Sequence, residues 1–168
     1  MLAPPSHPGL FKVVHQGNSD SFTSKLVAEC EFKKDQVIVD LKGLIVPGPK
    51  RYSSVQISAN EHVELNSDLL YLNHSCDPNT FLDVSQLELI ALRDVHIGDE
   101  LLFFYPSTEW DMAQAFDCWC GSSKCIGKVR GAHEIPTKIL DQFKLNNHII
   151  QLVQERDFPS TTRIINEH

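Results

Sequence analysis

The sequence lacks any apolar run approaching the roughly 18 residues that a membrane-spanning helix needs, which excludes a spanning segment. The opening residues, Met1 to Pro8, carry neither a basic stretch nor an apolar one, and this argues against a secretory leader. Cations are in deficit, with 15 Lys and Arg against 22 Asp and Glu and a formal net charge of -7. Non-specific nucleic-acid binding needs a cationic surface, so no direct nucleic-acid contact is expected. A net negative charge suits encounter with a basic polypeptide, but it bears on encounter and solubility rather than on a site. Regular strand–helix alternation is missing, which argues against a doubly wound sheet and its glycine-rich nucleotide loop. Internal repeats and low-complexity tracts are missing as well. An odd number of cysteines, 5, without a leader points to a reducing compartment and to metal ligands rather than disulfides. The expected location is therefore intracellular, nuclear or cytoplasmic, and not secreted.

What remains is a series of short apolar runs separated by turns. Residues 10–14, 25–28, 36–41, 44–46, 55–57, 62–65, 80–82 and 87–92 are β-branched or apolar and bounded by Gly, Asn, Ser or Asp, which predicts strands. Pro47-Gly48-Pro49 predicts a break after Val46. Asp68 is a candidate cap for a helical turn through Leu72. Leu101-Leu102-Phe103-Phe104-Tyr105 is the most apolar run and suits a buried strand. The tail differs: Pro136 suits a first helical turn, and Ile135, Ile139 and Phe143 form an i+4 stripe that favours docking on the domain itself. Asn146-Asn147 interrupts that stripe before a second short helix. The fold class is thus mostly β, one domain of short strands, then a cysteine-rich loop and a C-terminal helical tail.

Three cysteines, Cys118, Cys120 and Cys125, have C-x-C-x4-C spacing, one thiolate short of a tetrahedral zinc site. Cys76, within Asn73-His74-Ser75-Cys76-Asp77-Pro78-Asn79, is the candidate fourth ligand. Such a site would be structural, because four thiolates leave no open position. Reduced surface cysteines or a redox pair are the alternatives. A Cys76–His74 hydrolase is disfavoured, since the two are near neighbours and no third group is evident.

Together, the Asn73–Asn79 block, Gly98-Asp99-Glu100-Leu101 leading to Tyr105, and Cys118-x-Cys120-Gly121 with Cys125-x-Gly127 resemble the SET-domain protein lysine methyltransferases with a zinc-binding post-SET segment. Lys34 to Ile38 is similar to the family's early strand entry. The resemblance implies a knot-like threaded fold with a SET domain over 10–109, a post-SET zinc segment over 110–131 and a helical tail over 132–168. It also implies methyl transfer from S-adenosyl-L-methionine to the side-chain amine of a lysine in a histone or non-histone protein or peptide. On this resemblance Asn73, His74 and Tyr105 bind the cofactor, Phe103 and Tyr105 line the lysine channel, and Tyr105 is the catalytic tyrosine. Structural Zn2+ would be held by Cys76, Cys118, Cys120 and Cys125.

The sequence departs from the family pattern in several places. An early G-x-G is not evident: Gly9-Leu10-Phe11 and Gly17-Asn18-Ser19 lie near its position, but neither matches. Phe104 replaces a frequent aspartate, and Lys128 stands where an aromatic is common, with Val129 or Trp119 as substitutes. The stretch from Val46 to Leu69, which shapes the peptide groove in the family, is short. The alternative function is a catalytically silent SET-like module that binds a protein partner, with the tail stripe as its docking surface.

Overall fold

The computed structural model describes residues 4–15 and 24–159. Gly17-Asn18-Ser19 and the end of the tail lie outside them. The strands are β1 (Phe11–Val14), β2 (Lys25–Ala28), β3 (Val37–Asp40), β4 (Ile45–Gly48), β5 (Ser54–Gln56), β6 (His62–Leu65), β7 (Asn73–His74), β8 (Thr80–Asp83), β9 (Glu88–Ala91), β10 (Leu102–Phe103), β11 (Phe116–Asp117) and β12 (Lys128–Val129). Two α-helices follow, α1 (Thr137–Leu140) and α2 (Asn147–Asp157). Small antiparallel sheets account for most pairing: β1-β2, β3-β9-β8, β4-β6-β5 and β11-β12. The exception is β10-β7, which is parallel. This is the mostly-β architecture expected.

Local chemistry explains where these elements start and stop. Asp83 Oδ1 accepts from the backbone of Ser85 and Gln86 and from the Ser85 hydroxyl, closing the β8–β9 turn without a glycine. The expected break at Pro47 does not occur: β4 runs through Pro47 and Gly48, paired with Val63 and His62. Proline is tolerated there because β4 is an edge strand, where a missing N–H need not face a neighbour. Ser67 rather than Asp68 caps the 3-10 turn Asp68–Tyr71, its hydroxyl accepting from Leu69 N. The strand expected to run to Tyr105 stops at Phe103, because Tyr105 opens a 3-10 turn with Pro106 next in it.

Alternation along residues 101–105 divides the protein into two cores. Leu101 and Phe103 join Phe11, Leu26, Leu41, Leu69 and Leu89 between the sheets. Phe104 points the other way and joins Cys76, Ala132, Ile135, Leu140, Ile149 and Val153. Its ring stacks on Phe143 at 3.8 Å between centroids, with 4° between planes. The tail stripe is therefore packed against its own domain, as the sequence favoured, and is not a free docking face.

Polar clamps lock the tail in place. Arg156 of α2 donates to the carbonyls of Ala132, His133 and Ile135 at 3.2, 3.1 and 2.9 Å. Gly131 must be glycine, with φ +121° and a position where a Cβ would run into the Trp110 carbonyl. Asn146, read from sequence as an interruption, is buried and bridges three segments. Its Oδ1 accepts from Val84 N at 3.0 Å, and its Nδ2 donates to Leu82 O and Ser107 O at 3.0 and 2.9 Å. Asn146→Ala should therefore strand buried backbone groups and lower the unfolding free energy by about 3 kcal/mol or more. Asn147→Ala, at the exposed next position, should change it by less than about 1 kcal/mol, both variants being compared with wild type by urea titration.

Candidate active site

The segment Asn73–Cys76 and the segment Leu101–Tyr105 meet side by side. Leu102 pairs with Asn73 and Phe103 with His74, and Ser75 N donates to Phe103 O at 3.0 Å. On the other side the chain leading into β10 is bonded to β2, through Leu101 N to Leu26 O at 2.8 Å and Ala28 N to Asp99 O at 2.9 Å. Asn79 staples the crossing: its Nδ2 donates to Glu100 O and its Oδ1 accepts from Leu102 N, at 2.8 and 2.9 Å. Asn73 is fixed by donating Nδ2 to Ser24 O at 2.9 Å and to Glu100 Oε1 at 3.1 Å.

The His74 ring is committed on both nitrogens. Tyr105 N donates to Nδ1 at 3.1 Å, so Nδ1 is an acceptor and the proton belongs on Nε2. Nε2 lies 3.4 Å from Cys76 Sγ, to which it donates. Burial pushes the imidazole down to about 4, so this neutral tautomer holds at physiological pH. The ring also packs against Phe104, Tyr105 and Phe116 at 5.6, 5.3 and 5.7 Å.

Cys76, Cys118, Cys120 and Cys125 present sulfurs that all lie within 4.8 Å of one another. Cys76 and Cys118 are 3.9 Å apart, and a tetrahedral Zn–S4 site with bonds of about 2.3 Å requires about 3.8 Å. The loop is shaped by Gly121 and Gly127, both at positive φ, and by Cys118 N donating to Gly127 O. Burial pushes the Cys76 thiol well up and the Cys118 thiol to about 11. Cys120 moves the other way: against burial, backbone bonds from Ser122 and Cys76 help bring it to about 6. A soft divalent cation among four such thiols would draw off the remaining protons. The cluster can hold a metal.

Beside this cluster runs a cleft of about 830 Å³. Its walls include Asn73, His74, Phe103, Tyr105, Glu109 and Phe116, with Cys118, Trp119 and Cys120 on the post-crossing side. Phe103 and Tyr105 are adjacent, 4.7 Å between ring centroids. The Tyr105 hydroxyl donates to Leu72 O at 2.9 Å. Burial, with the Glu109 and Glu100 carboxylates adding to it, pushes that hydroxyl well above the usual phenol range, so it stays protonated. Of the two substitutes for the missing aromatic at Lys128, Val129 is fully buried, whereas Trp119 is 91% exposed and lines the cleft.

Two residues in this cleft had no reading from sequence. Phe116 is an ordinary apolar residue in a polar loop until β11 places it against His74 and Tyr105. Glu109 is an acid that folds inward, 8% exposed, and its only sequence signal is its place four residues after Tyr105.

Family comparison gives the same answer as the geometry. The SET domain matches residues 24–106. Over 156 residues the chain is 38% identical to a protein named Methyltransferase flvH from Aspergillus flavus, covering 89% of this chain and 84% of that protein. It is 26% identical over 119 residues to the Schizosaccharomyces pombe histone-lysine N-methyltransferase, H3 lysine-36 specific, covering 66% of this chain and 14% of that larger protein. Among solved structures, KRYPTONITE in complex with mCHG DNA and SAH aligns with a TM-score of 0.50 at 15% identity, over 66% of this chain and 27% of that one, a likeness of fold. The mostly-β fold of short strands agrees with these matches. The chain belongs to the SET-domain methyltransferase family.

Burial pushes the Glu109 carboxyl up to about 7, against the lowering effect of its hydrogen bonds from Gln56 and Thr108 and of Lys50. A raised folded value means that the protonated form is favoured in the fold. The stability this group contributes is complete below pH ~4.5 and is lost as pH rises through about 7. That shift corresponds to about 3 kcal/mol between pH 4.5 and pH 8. Glu109→Gln, which keeps an acceptor for Gln56 N, should remove this component. The difference in unfolding free energy, variant minus wild type, should grow by about 2.5 kcal/mol from pH 5 to pH 8 in urea titrations.

Proposed function

We propose that this protein transfers a methyl group from S-adenosyl-L-methionine to the side-chain amine of a lysine in a protein or peptide, histone or non-histone. The observation that carries the reading is the convergence of Asn73, His74, Phe103 and Tyr105 on one cleft that Cys118 and Cys120 of the cysteine cluster also line. Family membership supports methyl transfer, and the lysine specificity printed in the names of relatives such as the fission yeast protein supports the acceptor. The cofactor product in the KRYPTONITE complex supports the donor. In this reading residues 10–109 form the SET domain, 110–131 the post-SET segment with structural zinc on Cys76, Cys118, Cys120 and Cys125, and 132–168 the tail.

When bound, the cofactor supplies an activated methyl on a sulfonium, so the protein need provide no metal chemistry and no covalent intermediate. The chain's own part is alignment and desolvation. The Tyr105 proton is spent on Leu72 O, which leaves the phenolic oxygen as an acceptor for an amine N–H. An amine held that way presents its lone pair in a defined direction. Phe103 and Phe116 supply apolar walls that disfavour an ammonium and exclude water. Asn73, clamped to Glu100 and Ser24, and the backbone around His74 form the polar wall assigned to the cofactor.

The test is calorimetry with S-adenosyl-L-methionine followed by labelled-methyl transfer onto histones and lysate proteins. Binding and transfer are expected; absence of cofactor heat at near-millimolar concentration would sink the reading. Tyr105→Phe should lower turnover about tenfold or more, while the loss of one hydrogen bond changes stability by about 1 kcal/mol. The metal role has its own readout. The purified protein should carry one zinc per chain, and chelation should speed amide exchange over residues 116–130 and weaken cofactor binding, with β3, β8 and β9 still protected.

A further inference from the structure

We propose that Glu109 selects a cationic amine in the Tyr105 cleft and accepts its proton before methyl transfer. This rests on the methyltransferase reading above and adds to it an acid with a named task.

Three observations converge on this residue. The first is position: Glu109 lies one turn beyond Tyr105, its backbone N–H bonded to Tyr105 O at 3.0 Å, and it lines the same cleft. The second is how its carboxyl is held. Oε1 accepts from Gln56 N at 2.8 Å and from the Thr108 hydroxyl at 3.1 Å, while among the described residues no donor meets Oε2. One oxygen thus fixes the side chain and the other is left for a ligand. The third is charge. Lys50 is near enough to influence the carboxyl but is engaged with Asp111 at 2.8 Å, and among the described residues no cation forms an ion pair with Glu109. A buried carboxylate without a counter-ion is costly, and removing that cost requires either a proton or a cation from outside. Glu100 on the same cleft differs, because it is only half-buried, so water can solvate its charge where it stands.

The substrate amine arrives as an ammonium, since a free lysine side chain has a pKa of about 10.4. The carboxylate draws that cation in and takes one of its protons, giving a neutral amine and a neutral carboxyl. The methyl transfer that follows moves one positive charge from sulfur to nitrogen and requires no further proton. The carboxyl proton then passes to water at the open side of the cleft, restoring the carboxylate.

The test uses the full chain with its metal and saturating S-adenosylhomocysteine, titrated by NMR with two probes, N-acetyl-lysine methylamide and its uncharged analogue N-acetyl-norleucine methylamide. The wild type should bind the lysine probe about tenfold or more tightly than the norleucine probe, and Glu109→Gln should bring the two within about twofold. Glutamine keeps the acceptor for Gln56 N, and affinity for S-adenosylhomocysteine reports separately on whether the variant's cleft is intact. A merely structural Glu109 would leave the lysine preference in place, and that result would overturn the inference while sparing the methyltransferase reading. A wild type that binds S-adenosylhomocysteine but shows no lysine preference overturns it equally. A wild type that fails to bind S-adenosylhomocysteine removes the underlying reading and the inference together.

Discussion

The site is organised around one imidazole that the fold holds neutral. His74 is half-buried at the crossing of two segments distant in sequence, and each ring nitrogen has a fixed duty. Because the Tyr105 backbone N–H points at Nδ1, the ring must carry its proton on Nε2, and that proton meets Cys76 Sγ. Protonating Nδ1 would set two donors against each other and place a cation in an aromatic surround of Phe104, Tyr105 and Phe116. A single neutral ring therefore relates the tyrosine's backbone position to the orientation of one sulfur of the four-cysteine cluster. Ile126 N adds a second donor to that sulfur at 3.4 Å, which partly offsets the burial that holds it as a thiol. The cleft wall and the cysteine loop are consequently one mechanical unit.

The same crossing explains why a short apolar run serves two cores. Residues 101–105 are bonded to β2 on one edge and to β7 on the other, so their side chains must alternate between the sheet interior and the tail. Phe103 and Phe104 are neighbours in sequence but belong to different clusters. Phe104 stands where an aspartate is frequent in the family, and its stack on Phe143 gives that departure a packing reason in this chain. The tail then braces the back of the segment that leads from β10 into the Tyr105 turn. Asn146 completes this brace by bonding to the backbone on both sides of it.

Much of this was legible from sequence because the informative residues cluster in short blocks. The cysteine spacing, the Asn73–Asn79 turn and the strand toward Tyr105 each demand unusual residue types in a fixed order, and such order survives without knowledge of packing. What escaped depends on the partner rather than on the residue. Pro47 reads as a breaker until the strand is known to be an edge. Asp68 and Ser67 are both good caps, and only the observed hydroxyl bond to Leu69 N separates them. Asn146 looks like a helix interruption because its three acceptors and donors lie 39 to 64 residues away. Glu109 is harder still, since an acid in a turn is ordinarily solvated.

That buried acid and the tyrosine before it are better understood as a pair than singly. A carboxylate close to a phenol resists the phenol's ionisation, and burial resists it further, so Tyr105 remains a donor to Leu72 O with its lone pairs available. Without Glu109, a cation beside the tyrosine would meet a neutral hydroxyl and apolar rings, with Glu100 already accepting from Asn73. Without the tyrosine, the acid would hold an ammonium by charge alone, with no constraint on the direction of its lone pair. Charge attraction falls slowly with distance, whereas a hydrogen bond weakens steeply with angle, so the two groups act on different properties of the same amine. On the proposed reading, placing them one turn apart, on a turn braced from behind by the tail, would let attraction and alignment act on the same amine.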